Sequence, residues 1–476
     1  MDQKNILLIT IDALRSDHLE CYGYWRLTAP HICSLGKEGL LFQNSYSNAS
    51  FTLASFPAIM TGQYPLRGNV YYDIRDKITM AEIFSQMGYH TAAFNTNILL
   101  SEIRDYSKGF SHFETLANQS EEQIAKLYAK PETAERSNLL RRIIVNLIKK
   151  IEPLDNLIYT MIRDVIEIPY ATGEEVTSRF LEWLGSRKNR GPFFAWIHYM
   201  DVHSPYFSYG DPRCSRYSKW ITKYKETKFL DLAKKALERG GKIPQSKMNA
   251  LKKFFWDIYD DRILYVDKQI GKIVKFLKSK ELDKDTIIVV TADHGEAFHD
   301  RPGVIGHLAY LYEEVLRVPL ILKIPKIAPR KVGYLAQSVD ILPTLLSLVG
   351  EDSSQLGLRL DGRSLLTSRS DTVYAEESFN QFRRPLTKFN DSREINFIFA
   401  VRRSSLKYIR TYWFDGRIEE ELYDLSTDPG ESRNLIGASP NLDKMRELMN
   451  NHLEDIEFNF SKERLGFLVR KSKGYF

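Results

Sequence analysis

Three short runs along the chain are apolar at nearly every position. Asn5–Ile11 (NILLITI) stops at Asp12, Pro192–His198 (PFFAWIH) runs on to Asp201 and His203, and Thr286–Thr291 (TIIVVT) leads to Asp293 and His294. A strand with one wet face alternates apolar and polar residues. Unbroken runs rich in Ile, Val and Phe instead predict strands covered on both faces of a parallel sheet. In such sheets ligands sit just beyond the carboxyl ends of the strands. The three runs therefore deliver carboxylates and imidazoles to one edge.

Helical spacing fills the intervals. Met80–Met87 ends at Gly88, Glu174–Leu184 is apolar at Val176, Phe180, Trp183 and Leu184, and Asp257–Leu277 carries Ile258, Ile263, Val266, Ile270, Ile273 and Leu277. Alternating strand and helix signals predict an α/β fold with a doubly wound, mostly parallel sheet. From Thr372 onward the pattern changes. Phe397–Val401, Leu406–Tyr412 and Glu420–Leu425 read as short antiparallel strands, Ser426–Gly430 as a polar turn, and Asn441–Ile456 as a terminal helix. The expected division is a large α/β domain over residues 1–371 and a smaller C-terminal α+β subdomain over 372–476.

Two stretches read as insertions, at about 118–170 and 213–249. In the first, residues 138–151 set Leu139, Leu140, Ile143, Ile144, Leu147, Ile148 and Ile151 at helical spacing beside Arg141, Arg142, Lys149 and Lys150. One reading is a helical hairpin packed on the core or on a partner. The other is a basic amphipathic lid that makes peripheral contact with a lipid surface or an anionic glycan. The second insertion is Lys-rich and reads as a solvated helical face.

Composition narrows the class. A hydrophobic share of 43% is enough to build a core, which excludes a mainly disordered chain. The net charge of +6 does not call for a nucleic-acid polymer, although it suits an anionic substrate. The three cysteines, Cys21, Cys33 and Cys214, form neither a disulfide framework nor a CxxC metal pair. No run is long and apolar enough for a membrane span, and the first residues do not read as a secretion signal. The expectation is a reducing, cytoplasmic setting.

Asp12 at one strand end and Asp293-His294 at another form an O,O,N set suited to a divalent metal. Helix capping would account equally well for either site taken alone.

Asn5–Gly23 (NILLITIDALRSDHLECYG), Thr52–Pro65 (TLASFPAIMTGQYP), Thr291–Glu296 (TADHGE) and Gly306–Pro319 (GHLAYLYEEVLRVP) stand in the order found in the sulfatase family of the alkaline phosphatase superfamily. Val339–Leu346 (VDILPTLL), Leu360–Leu365 (LDGRSL) and Leu422–Leu435 (LYDLSTDPGESRNL) resemble that family's later blocks. The resemblance implies an alkaline phosphatase-like fold and a metal-dependent hydrolase of phosphate or sulfate esters. It implies a metal set of Asp12, Asp293 and His294 with Thr52 as nucleophile and further donor. His203 and His307 fall on substrate-side positions with general-acid roles, and Asn97 on a substrate contact. Glu296 reads as a group that orients the loop after the metal pair. His18, His31, His90, His112, His198 and His452 read as structural or surface residues, and His299, near the metal pair, as one that could approach the pocket.

The departures from the family pattern matter as much. Sulfatases oxidise Cys or Ser at the nucleophile position to an aldehyde, and Thr52 would give a ketone, which hydrates poorly. Ala54 and Phe56 replace the proline and arginine of the pattern, and Ala13 replaces a frequent second metal aspartate. Fewer oxygens and one imidazole shift the expected ion from Ca²⁺ toward Mn²⁺ or Zn²⁺. Threonine nucleophiles resemble those of phosphodiesterases and phospho-group transferases, and the Asp plus Asp-His set resembles phosphonate monoester hydrolases. The expected activity is thus phosphoester cleavage through a covalent threonyl intermediate, on an anionic ester that is glycan- or lipid-linked. Two other readings stay open: a soluble phospho-group transferase acting on a glycan or lipid, and an inactive relative that binds anionic glycans.

Overall fold

The computed structural model describes residues 4–68, 72, 74–116, 171–187, 191–204, 216–219, 225, 228, 229, 232, 244–301, 304–307, 309–352, 356–379 and 395–458. Residues 138–151, and most of both expected insertions, lie outside that set. The strands, in chain order, are β1 (Asn5–Ile11), β2 (Leu40–Tyr46), β3 (His90–Asn95), β4 (His112–Thr115), β5 (Phe193–Tyr199), β6 (Thr286–Ala292), β7 (Ala297–Phe298), β8 (Ile305–Gly306), β9 (Leu320–Lys323), β10 (Arg330–Gln337), β11 (Thr372–Phe379), β12 (Asn396–Arg403), β13 (Leu406–Tyr412) and β14 (Ile418–Asp424). The helices are α1 (Pro30–Glu38), α2 (Thr52–Thr61), α3 (Met80–Gln86), α4 (Gly173–Ser186), α5 (Gln245–Ser279), α6 (Glu313–Leu316), α7 (Ile341–Val349) and α8 (Leu442–Asp455).

Eight strands form the main sheet in the order β10-β2-β9-β6-β1-β5-β3-β4. Only β9 runs against its neighbours. The apolar runs β1, β5 and β6 lie side by side at the centre, parallel throughout. Period-two alternation sends Leu7, Ile9 and Ile11 of β1 into a core shared with α1, α4 and α5. Ile6 and Leu8 point the other way, into a core shared with α2, α3 and α7. Helices on both faces are why nearly every residue of these strands is apolar. The fold is thus the doubly wound α/β arrangement read from the sequence, with a separate four-stranded antiparallel sheet, β11-β12-β13-β14, toward the C-terminus. A third apolar cluster joins Phe51, Leu53, Ala54 and Ala58, at or beside the start of α2, to Phe397, Phe399 and Val401 of β12 and Met445 and Met449 of α8.

One expectation fails. Cys21 and Cys33 form a disulfide with a Cα–Cα separation of 5.4 Å. The turn after Glu20 closes at Gly23, whose φ of 102° is left-handed, and the turn brings Cys21 against α1. Spacing in sequence could not show that approach. Among the described residues, no helix is long and apolar enough to cross a membrane.

Candidate active site

Register sets the first carboxylate. Ile11 pairs with Tyr199 on one side and Ala292 on the other, so Asp12 is the first residue past the central strand. Its backbone N–H still donates to Tyr199 O at 2.9 Å. The chain then turns sharply: Ala13 has φ 58°, a left-handed conformation that costs an alanine about 1–2 kcal/mol. Three bonds hold it there. Ala13 N donates to Asp293 Oδ1 at 3.2 Å, Tyr259 Oη donates to Ala13 O at 2.6 Å, and Arg15 N donates to Tyr259 Oη at 2.8 Å. The turn ties the ends of β1 and β6 together and buries Asp12 fully.

Asp293 and His294 leave β6 at the same level. His294 N donates to Asp293 Oδ1 at 3.0 Å, and His294 Nδ1 lies 2.8 Å from Gly295 O. A carbonyl can only accept, so Nδ1 carries the proton and Nε2 presents a lone pair. That Nε2 lies 3.5 Å from Asp12 Oδ1 and 3.5 Å from Asp293 Oδ2. The turn needs its glycine, since a Cβ on Gly295 would fall 2.3 Å from Glu314 O.

Thr52 enters from the other side of the sheet as the first residue of α2. Its Oγ1 donates to Asp12 Oδ2 at 3.3 Å and lies 3.4 Å from His294 Nε2. The N-terminus of a helix carries partial positive charge, which favours an oxyanion at this position. Asn97 follows β3, and its Nδ2 donates to Asp12 Oδ2 at 3.2 Å. Phe56, where the family pattern has arginine, packs edge-on against His198 with ring centroids 5.1 Å apart.

Two further imidazoles complete the cluster. The His307 ring stacks on His294 at 4.3 Å between centroids, and His203 lies 5.0 Å from His307 and 6.4 Å from His294. Glu296 Oε2 is 3.2 Å from His307 Nδ1. Burial pulls the His307 pKa down, but Glu296, with Asp12 and Asp293 behind it, outweighs burial and the net shift is upward. For His203 burial wins, and its pKa falls to about 4. Burial also works to raise Asp12, yet the neighbouring imidazoles, His203 first among them, hold its carboxylate well below the usual range. Asp293 moves the opposite way, raised by burial and then by the charge of Asp12.

The seven residues singled out from the sequence (Asp12, Thr52, Asn97, His203, Asp293, His294 and His307) thus converge. An eighth was read as structural. His198, on β5, offers a ligand atom that lies with one each from Asp12 and Asp293 inside a triangle of sides within 4.8 Å. Asp12 Oδ1, Asp293 Oδ2 and His198 Nε2 are buried and have no hydrogen-bond partner. Buried polar atoms are almost always satisfied, so three orphans facing one point fit a divalent cation. His198 closes the apolar run read from the sequence, and register sets it opposite Thr10, two residues before Asp12.

A protein-family comparison supports this picture. The family model described as Sulfatase matches residues 4–351, and one described as N-sulphoglucosamine sulphohydrolase, C-terminal, matches residues 307–459. Among curated proteins, Arylsulfatase K of Mus musculus is 24% identical over 94% of this chain and 79% of its own length. The Arylsulfatase of Clostridium perfringens is 26% identical, with 96% of each chain covered. Among solved structures, the phosphonate monoester hydrolase of Agrobacterium radiobacter superposes with a TM-score of 0.65 at 21% identity, covering 95% of both chains.

Proposed function

The chain belongs to the sulfatase family, whose model spans residues 4–351, and from that premise we propose that it cleaves anionic esters through Thr52, preferring phosphate to sulfate. The carrying observation is the placement of Thr52 Oγ1, at the tip of α2 and within 3.3 Å of Asp12 and 3.4 Å of His294. A threonine cannot be oxidised to the aldehyde that sulfatases use, so its hydroxyl acts directly. Direct attack by an alcohol is the chemistry of phosphoryl transfer.

Asp12, Asp293 and His294 would hold the divalent cation. Such an ion lowers the pKa of a nearby hydroxyl and draws charge from the ester oxygens. The protein's own groups do the rest. Asp12 takes the Thr52 hydrogen bond and fixes the direction of Oγ1. Thr52, its proton given up to solvent beforehand, attacks phosphorus as the alkoxide, the bond to the departing oxygen breaks, and a threonyl ester remains. His307, kept protonated by Glu296, gives its proton to the departing oxygen. Neutral His307 then takes a proton from water as that water releases the phosphoryl group and restores Thr52. His203 is held uncharged by burial and lies 5.0 Å from the His307 ring, where it contacts the departing group. Asn97 Nδ2, beside Asp12, is placed to donate to an ester oxygen.

The substrate is an anionic ester carried on a glycan or lipid. The Cys21–Cys33 bond favours an oxidising compartment over the cytoplasm expected from the sequence. The deciding measurement is the metal content of the purified protein, taken with its rates on an aryl sulfate, an aryl phosphate and a bis-aryl phosphate. Faster turnover of either phosphate supports the reading. A clear preference for the sulfate would remove Thr52 as the direct nucleophile.

A further inference from the structure

His198 is fully buried, and its Nδ1 faces a polar partner. Thr10 Oγ1 lies 2.9 Å from His198 Nδ1. The same oxygen accepts from Trp196 Nε1 at 2.9 Å and lies 3.3 Å from Ile197 O. A hydroxyl has one proton and two lone pairs. The Thr10 proton can go to the Ile197 carbonyl while its two lone pairs take the N–H groups of Trp196 and His198 Nδ1. These contacts admit the Nδ1–H tautomer of His198, which leaves a lone pair on Nε2 for a cation.

His198 Nε2 sits 3.3 Å from Asp12 Oδ2. With the His198 proton on Nδ1, two acceptors would face each other in a dry interior, and a cation between them would remove that repulsion. The opposite partner is also explained. The resemblance calls for a second carboxylate after Asp12, and Ala13 supplies none; its N–H goes to Asp293 instead. Donors about 2.1 Å from one ion lie roughly 3–3.5 Å apart. His198 Nε2 to Asp12 Oδ2 (3.3 Å) and His294 Nε2 to Asp12 Oδ1 (3.5 Å) fall in that range, each imidazole facing one oxygen of the carboxylate.

We propose that His198 Nε2 is a fourth protein donor to the site's cation, replacing the missing carboxylate with a second imidazole. The inference rests on the metal reading given above and extends it. Two carboxylates and two imidazoles disfavour Ca²⁺, which takes six to eight oxygens, and select an ion of the Zn²⁺ or Mn²⁺ class. Thr10 and Trp196 become positioning residues that hold the His198 tautomer.

The test is a count of nitrogen donors. The intact protein is loaded with one equivalent of Cu²⁺ as a spectroscopic probe, and the remote imidazole nitrogens are read by pulsed electron paramagnetic resonance. The expected spectrum carries the combination lines of two imidazoles. His198→Asn should reduce the count to one, His203→Ala should leave it at two, and Zn²⁺ affinity in His198→Asn should fall at least about tenfold. A single imidazole in the unmutated protein, with copper bound, overturns the assignment of His198 and leaves the proposed function standing. Failure of the unmutated protein to bind Cu²⁺, Zn²⁺ or Mn²⁺ at all overturns both. The wild-type spectrum decides the matter even if His198→Asn does not fold.

Discussion

Thr52 Oγ1 and Asp12 Oδ2 lie 3.3 Å apart, although forty positions of sequence separate the two residues. Asp12 ends the central strand, and Thr52 begins a helix on one face of the sheet, so the contact joins a strand end to a helix tip. Replacing Thr52 by Ala removes the attacking oxygen and leaves both carboxylates and His294 in place. Turnover should fall at least about 10³-fold while bound metal, measured by elemental mass spectrometry, is unchanged. Thr52→Ser keeps the oxygen and should retain most of the rate.

The pairing of His307 with Glu296 gives a second expectation. A general acid matters most when the departing oxygen is a poor leaving group. His307→Ala should slow an alkyl ester by about 10²–10⁴-fold and a nitrophenyl ester much less. Equal losses on both would mean that His307 only shapes the pocket. Glu296→Gln should act in the same sense but more weakly, by removing the charge that keeps His307 protonated.

Glu376 and His452 make stability depend on pH in opposite directions. They are buried 3.9 Å apart under the C-terminal sheet. Burial, with Asp361 adding to it, raises Glu376 from 4.5 to about 8. The native state thus keeps a proton that the unfolded chain releases, so stability is lost as pH rises from 4.5 toward 8. Burial lowers His452 from 6.5 to about 3, so stability is lost as pH falls through that window. Each group contributes at most ~1.4 kcal/mol per pH unit. Glu376→Gln should be more stable than the parent at pH near 8, with the gap closing near pH 5, as read by urea unfolding. A gap independent of pH would show that Glu376 is ionised in the native state.

The disulfide predicts a thiol count. Of the three cysteines, Cys21 and Cys33 are paired, so the denatured, unreduced chain should titrate one thiol. Closing a loop of twelve residues restricts the unfolded chain by about 3 kcal/mol. Cys33→Ser should lower unfolding stability by about 2–3 kcal/mol, and a reducing agent should lower the parent's melting temperature but not the variant's.

Much of this site was legible before any coordinates. The unbroken apolar runs of β1, β5 and β6 mark buried parallel strands, and strand ends are where such sheets bind ligands. That logic alone puts Asp12, Asp293 and His294 on one edge. The resemblance to the sulfatase family brought in the roles of Thr52, Asn97, His203 and His307. The approach of His198 to Asp12 could not be read, because it depends on the register between β1 and β5 rather than on any spacing along the chain. The Cys21–Cys33 bond was equally hidden, since a turn rather than a spacing motif brings the two sulfurs together. The extent of α5 was underestimated: it begins at Gln245, inside a Lys-rich stretch whose polar face masks the helical period.

The apolar cluster that seats α2 has a consequence for synthesis. Phe51, Leu53 and Ala54 flank Thr52 on both sides, yet they pack on β12 and α8, which are synthesised long after α2. A nascent polypeptide can therefore hold Asp12, Asp293 and His294 while the hydroxyl-bearing helix tip still lacks its platform. On the proposed mechanism, fragments that stop short of α8 should be inert even where their larger sheet has formed.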